Sequence, residues 1–282
     1  GTTTAGTGNG SVTFTAAPNT ATTARTGGIT IGDQTVIVNQ AASNLPRITG
    51  IVNAASYARE GAAPGTILAI FGSQLGPSSL IGLQLTADGQ YLTKELAGTR
   101  VLFDGTPAPL IYTSDGVLSA IVPYDVAGKR TVPVVAEYQG RRSAEANLAI
   151  ANTSPALFTA NASGTGQAAA LNEDFSLNGS ANPAARGSLL ILYGTGEGLT
   201  QPASEDGKLT GADLPQAIAG VAVSVGGAPA EVFYKGGVPG VTAGLVQINI
   251  RVPAAAPVGA AVPVFVTIGG VQSQPGVTVA IR

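Results

Sequence analysis

The sequence predicts an all-β protein: two tandem β-sandwiches behind an incomplete β module. Three observations predict it. The first is an internal repeat. Gly65-Thr66-Ile67-Leu68-Ala69-Ile70-Phe71-Gly72 returns as Gly187-Ser188-Leu189-Leu190-Ile191-Leu192-Tyr193-Gly194, at an offset of 122 residues. The same offset carries Leu96-Ala97-Gly98 onto Ile218-Ala219-Gly220 and Ile111-Tyr112 onto Phe233-Tyr234. The second is spacing: short β-branched runs recur about every ten residues, as strands of a sandwich do. The third is the lack of any sustained 3.6-residue periodicity; the best helical stretch, around Thr93–Leu96, is short.

Residues 1–45 form the incomplete module. Val12-Thr13-Phe14-Thr15, Gly28-Ile29-Thr30-Ile31 and Thr35-Val36-Ile37-Val38 are its β-type runs. Val12 with Phe14, Ile29 with Ile31, and Val36 with Val38 alternate, so each pair faces one side of a strand. Ile31-Gly32-Asp33-Gln34-Thr35 reads as a hairpin turn. Three strands leave one apolar face open. Residues 46–151 are the first copy, with strands expected at Thr66–Phe71, Thr99–Phe103, Pro109–Tyr112, Leu118–Val122, Val132–Tyr138 and Ala146–Ile150. Asp104-Gly105 and Gln139-Gly140 stand where hairpin turns belong. Residues 152–282 are the second copy, with strands near Leu189–Tyr193, Ala222–Val225, Ala230–Tyr234, Leu245–Ile250, Val262–Ile268 and Val277–Ile281, and turns at Gly226-Gly227 and Gly269-Gly270. After Tyr234 the offset grows to 130, aligning Val122-Pro123 with Val252-Pro253. An insertion therefore falls around Lys235–Gly244, in a loop, where insertions cost little and often carry binding.

Composition narrows the function. The 282 residues contain no His, Cys, Met or Trp, and only 11% are charged, against roughly 25% in ordinary soluble domains. No Cys means no disulfide, thiolate metal site or thiol nucleophile. No His removes the commonest general base and metal ligand. The net charge of -2 offers nucleic acid no basic footprint. No apolar run reaches the ~18 residues of a membrane span. A chain starting at Gly1 without a visible signal peptide is read as a mature secreted protein, or the ordered part of a longer one.

Several ordered motifs carry a resemblance. Val52-Asn53-Ala54-Ala55-Ser56, Ala63-Pro64-Gly65-Thr66 and Ile70-Phe71-Gly72 are similar to the start of an uncharacterised C-terminal domain family abundant in acidobacterial secreted proteins. Gln167-Ala168-Ala169-Ala170-Leu171-Asn172, Asn182-Pro183-Ala184, Gly226-Gly227-Ala228-Pro229-Ala230, Val246-Gln247-Ile248-Asn249 and Val252-Pro253 continue the pattern, over about 47–282. The resemblance implies tandem Ig-like β-sandwich domains at an extracellular location, with no known activity and no functional residues. Residues 10–42 resemble the second half of a BACON-type Ig-like module, through Gly10-Ser11-Val12-Thr13-Phe14, Ala24-Arg25-Thr26-Gly27, Ile29-Thr30-Ile31 and Val36-Ile37-Val38-Asn39-Gln40. That likeness implies carbohydrate or mucin binding, with the front half of the module absent.

Candidate sites follow. Asn172, Asp174, Ser176 and Asn178 alternate oxygen-bearing side chains, as a Ca²⁺ loop does, but such residues also build plain turns; no metal or cofactor is expected. Glu197, Glu205, Asp206 and Asp213 fall close together, yet a glycosidase pair needs a cleft with aromatic platforms, so a solvated loop is expected. Tyr112 and Tyr234 are equivalent and read as packing residues. Lys94, Lys129, Lys208 and Lys235 are the only lysines that an isopeptide crosslink could use. Val12, Phe14, Ile29, Ile31, Val36 and Val38 form the candidate assembly interface: a strand from another copy would complete their module, and a head-to-tail contact of that kind builds a filament. Thr2-Thr3-Thr4 is the expected donor arm. The expected function is thus a non-enzymatic, secreted structural protein that polymerises with copies of itself. The alternative is an adhesion or carbohydrate-binding module of a larger surface protein, with surface glycans as partner, using the loop at Lys235–Gly244 or the Asn172–Asn178 turn.

Overall fold

The computed structural model describes residues 11–21, 23–59 and 61–282. The chain divides into two compact units, one ending at Leu45 and one starting at Pro46. Apart from a 3-10 turn at Tyr124–Val126, the regular structure of the described residues is all strand. No helix among them is long and apolar enough to cross a membrane.

The first unit is a hairpin, Arg25–Ile31 against Gln34–Gln40, around the turn at Gly32-Asp33. Ile29 pairs with Val36 and Gly27 with Val38, so Ile29, Ile31, Val36 and Val38 share one face, as their alternation predicts. Val12–Thr15 forms no strand, contrary to expectation. It makes no ladder with the hairpin; instead the segment behind it is tied by side chains, with Arg25 Nη2 and Gln40 Nε2 both donating to the Ala17 carbonyl at 2.5 and 2.9 Å.

The second unit holds two sandwiches. In the first, a sheet with Arg47–Asn53, Ile67–Ser73, Val117–Ile121, Leu110–Thr113 and Ile81–Gly82 as successive neighbours faces one built on Thr99–Phe103 and Thr131–Tyr138. Leu68, Ile70, Leu110 and Leu118 meet Val101, Phe103, Val132 and Val134 between them. In the second, Leu189–Thr195 and Val246–Arg251 face Val221–Val225, Gly259–Ile268 and Val277–Ile281 around Leu190, Leu192, Ile248, Ile250, Val264 and Val279. One long strand, Ala228–Gly237, pairs with Val221–Val225 at its start and with Val246–Arg251 further on, so it crosses from one layer to the other. In the first sandwich the corresponding stretch is broken at Ala108-Pro109 into Thr106–Pro107 and Leu110–Thr113, because Pro has no N–H for a ladder.

The repeat has a backbone meaning. Gly65 and Gly187 have φ of 79° and 84°, the left-handed region that glycine enters without strain. A Cβ on Gly72 would collide with the Arg47 carbonyl, and one on Gly194 with the Ala156 carbonyl. Each closing glycine admits the adjoining strand. The four turns predicted in the two copies, Asp104-Gly105, Gln139-Gly140, Gly226-Gly227 and Gly269-Gly270, have positive φ at both residues, the mirror-image geometry that hairpins favour. The Ile111 and Phe233 positions coincide with register shifts in both copies, between Leu110 and Tyr112 and between Val232 and Tyr234. A bulge, not a binding platform, explains why those positions match.

The sandwiches are joined by structure, not by a slack tether. Ile67, Leu92 and Ile121 form a third apolar cluster with Ala54, Ile111, Phe158 and Leu245, drawn from both copies. This is why Ile67-Leu68-Ala69-Ile70 is buried throughout: Leu68 and Ile70 enter the first core while Ile67 enters the junction. A short ladder crosses the same boundary. Tyr91 bridges to Lys208 across it, and Leu209 continues the ladder to Thr242 within the second sandwich. Leu92 N donates to Gly207 O and Leu209 N to Gln90 O, both at 2.8 Å.

Candidate functional site

The six apolar residues of the first unit lie largely in the open. Val12, Phe14, Ile31 and Val36 are 58, 50, 44 and 47% exposed, and Ile29 and Val38 are half-buried. Phe14 to Ala17, Ile29 and Val38 line an open groove of about 530 Å³. Thr2-Thr3-Thr4 lies outside the described residues.

The Asn172–Asn178 turn is locked from within. Asn178 Nδ2 donates to Asn172 Oδ1 at 3.0 Å and to the Ala280 carbonyl at 2.9 Å, while its Oδ1 accepts from Ala280 N–H at 2.8 Å and from Gln167 Nε2 at 2.9 Å. Asp174 Oδ1 accepts from both the N–H and the hydroxyl of Ser176, which holds its carboxyl below the ordinary range. Asn172 Nδ2 reaches the Asn182 carbonyl at 3.0 Å. The alternating oxygens, weighed as a Ca²⁺ loop against a plain turn, are thus brought together, and their hydrogen bonds run within the turn and to the Ala280 strand. Among the described residues no three His, Cys, Asp or Glu side chains gather as a metal set.

What the lock displays is apolar. Phe175 is held at φ 63° and is 72% exposed, and Leu177 is 74% exposed, the two most exposed large apolar side chains of the described residues. Beside them in the chain, Asn172, Glu173, Asp174, Asn182, Ser188 and Arg282 line an open polar groove of about 540 Å³. The groove offers directional hydrogen bonds from carboxylate, amide and guanidinium groups, and the turn that contributes Asn172 to Asp174 to it also carries the exposed Phe175 ring.

No protein-family model matches the chain. No curated protein does either. Among solved structures, one described as SGBP-B from a complex xyloglucan utilization locus in Bacteroides uniformis is 13% identical, with a TM-score of 0.23. The match covers 82% of this chain and 48% of that one, so this chain spans about half its length. A superposition of that quality carries no functional information.

The remaining sequence candidates sort by burial. The insertion at Lys235–Gly244 is not a free loop: Thr242, Ala243 and Gly244 are buried in the junction, and its backbone pairs with Lys208–Thr210. That pairing lies within the second sandwich, and the insertion meets the first at Gly244, where a Cβ would strike the Gly65 carbonyl. Tyr234 donates to the Gly237 carbonyl at 2.6 Å within the same segment. Lys94, Lys129 and Lys208 pair with Asp206, Asp104 and Glu205, and Lys235 donates to the Ala219 carbonyl at 3.4 Å. Of the four acids expected on a solvated loop, Glu205 accepts from Tyr91 Oη and Asp206 from Tyr124 N–H across the junction. Glu197 departs furthest, being 3% exposed, and burial pushes its carboxyl up to about 7. No sequence signal marks it: Gly194-Thr195-Gly196-Glu197-Gly198 reads as an exposed turn.

Proposed function

We propose that this chain is a non-enzymatic, extracellular carbohydrate-binding module of a larger surface protein, its modules 46–151 and 152–282 presenting the Asn172–Asn178 turn to surface glycans. The observation that carries this reading is Phe175, an aromatic ring held in the open by a hydrogen-bonded turn beside a polar groove. The turn's backbone is already fixed by its own hydrogen bonds, so less freedom is lost there when a sugar stacks on the ring, and this preorganisation favours binding. Affinity electrophoresis through gels containing neutral and acidic polysaccharides tests it. Retardation of the full chain by at least one polymer, lost in Phe175→Ala, is the expected result. Equal mobility with and without every polymer overturns it.

A second reading rests on the hairpin. Two strands with an apolar face are too few to be stable alone, and Phe14, Ile31 and Val36 are exposed on that unit. This supports assembly of copies through strand addition at Val12, Phe14, Ile29, Ile31, Val36 and Val38, giving a filament. Negative-stain electron microscopy of the full chain beside a version lacking residues 1–45 tests it. Filaments from the first alone support assembly; dispersed particles from both leave the glycan reading standing by itself.

A further inference from the structure

Between the two sandwiches lies a carboxyl that no other residue's charge pairs and that only its own backbone N–H supports. Glu197 Oε2 is buried without a hydrogen-bond partner, and Glu197 takes part in none of the ion pairs among the described residues. Tyr124, whose phenol is pushed up by burial and then by Glu197, is its titratable neighbour across the junction; Ser204 approaches that hydroxyl without completing a bond of sound geometry. The turn carrying Glu197 is clamped. Ser154 N donates to Gly196 O at 2.8 Å. Gly196 and Gly198 have φ of 85° and 78°, and a Cβ on either would strike the carbonyl of Ser154 or Asn152. The carboxyl therefore has a fixed place.

That place is the wall of a pocket of about 230 Å³, whose other walls include Pro64, Ala127, Leu199, Ile218 and Ala219. Ordinary ligand sites run from about 300 Å³ upward, so the space suits a short chain more than a ring system. Its walls recognise methylenes. Its one unpaired acid recognises a group that brings positive charge and N–H donors, because a buried charge is tolerated only when paired.

We propose that this pocket binds a primary alkylammonium group, the alkyl chain lying along the apolar walls and the –NH₃⁺ donating to Glu197. The site is independent of the glycan-contact turn. A four-carbon stem is also that of a lysine side chain, so a free amine and a lysine presented by another polypeptide share the chemistry.

The test titrates n-butylamine into the full chain at pH 8, above the value of about 7 at which Glu197 ionises, and follows the methyl signals of Leu199 and Ile218. Saturable shifts are expected with butylamine and not with butan-1-ol. Glu197→Gln, nearly isosteric, should weaken binding by about tenfold or more, the loss of one charged hydrogen bond. Ala127→Trp, at an exposed rim position, keeps the acid and should block entry. Nα-acetyl-lysine methylamide then separates the sources: shifts like those of butylamine assign a chain-borne lysine, and none assigns free amines. No saturable shift with butylamine, equal shifts with butanol, or unchanged affinity in Glu197→Gln overturns the proposal.

Discussion

The hydroxyl of Thr195, in the second sandwich, accepts the backbone N–H of Ile67, in the first, at 2.9 Å. The same hydroxyl donates to the Gly244 carbonyl at 2.7 Å. Thr195 is 1% exposed, so neither backbone group has water to turn to. Thr195→Val keeps the shape and removes both bonds. It should cost about 2 kcal/mol, the usual cost of stranding buried polar groups, whereas Thr195→Ser should cost less. Urea denaturation of the three proteins checks the order.

Glu197 sets a pH dependence. Its folded value of about 7 lies above the ordinary 4.5 because burial disfavours the charge. Below about pH 4.5 the carboxyl is protonated in both states and costs nothing. Between there and about 7 the unfolded chain loses the proton while the folded chain keeps it, so stability falls as pH rises. The full penalty, about 3 kcal/mol, is reached above pH 7. Glu197→Gln should flatten this part of the profile and be the more stable protein at pH 8. Melting curves from pH 4 to 8 read it directly; parallel profiles would show that Glu197 is hydrated or paired in solution.

The two repeat glycines should respond unequally. Gly72→Ala drives a Cβ into the Arg47 carbonyl, a backbone atom that cannot step aside. Gly187→Ala meets no atom within 4 Å and suffers only from its φ of 84°. The second should cost about 1 kcal/mol, and the first clearly more, through separation of Arg47–Asn53 from Ile67–Ser73. Thermal melts rank them.

Asn178→Ala removes the acceptor of the Ala280 N–H and a support of the display turn. A loss of roughly 2 kcal/mol is expected. Faster hydrogen exchange confined to residues 170–178 would show that Asn178 positions Phe175. Phe175→Ala should leave exchange there unchanged, since that side chain faces solvent.

Much of the architecture was legible because its causes are local. Alternation put Ile29 with Ile31 and Val36 with Val38 on one face, and paired turn residues marked the hairpins. The repeat was visible because Gly72 and Gly194 answer a steric demand that no other residue meets. The site was harder. Asn172 to Asn178 announced a turn, but Asn178 is held by Ala280, 102 residues further along the chain. Glu197 was misplaced because its burial is caused by a sandwich that its own sequence neighbourhood does not contain. The segment Lys235–Gly244 was misjudged for the same reason: an insertion looks like spare loop until a second module is found packed on it.

The ladder through Tyr91, Lys208, Leu209 and Thr242 also decides how the pair would bear a pull. Tension applied across residues 46–282 does not fall on the Ala151-Asn152-Thr153 connection alone. It is shared by several backbone bonds and the apolar cluster around Ile67 and Leu92. Bonds loaded together yield together, so the two modules should extend as one stiff strut and keep the surfaces they display at a constant distance from one another.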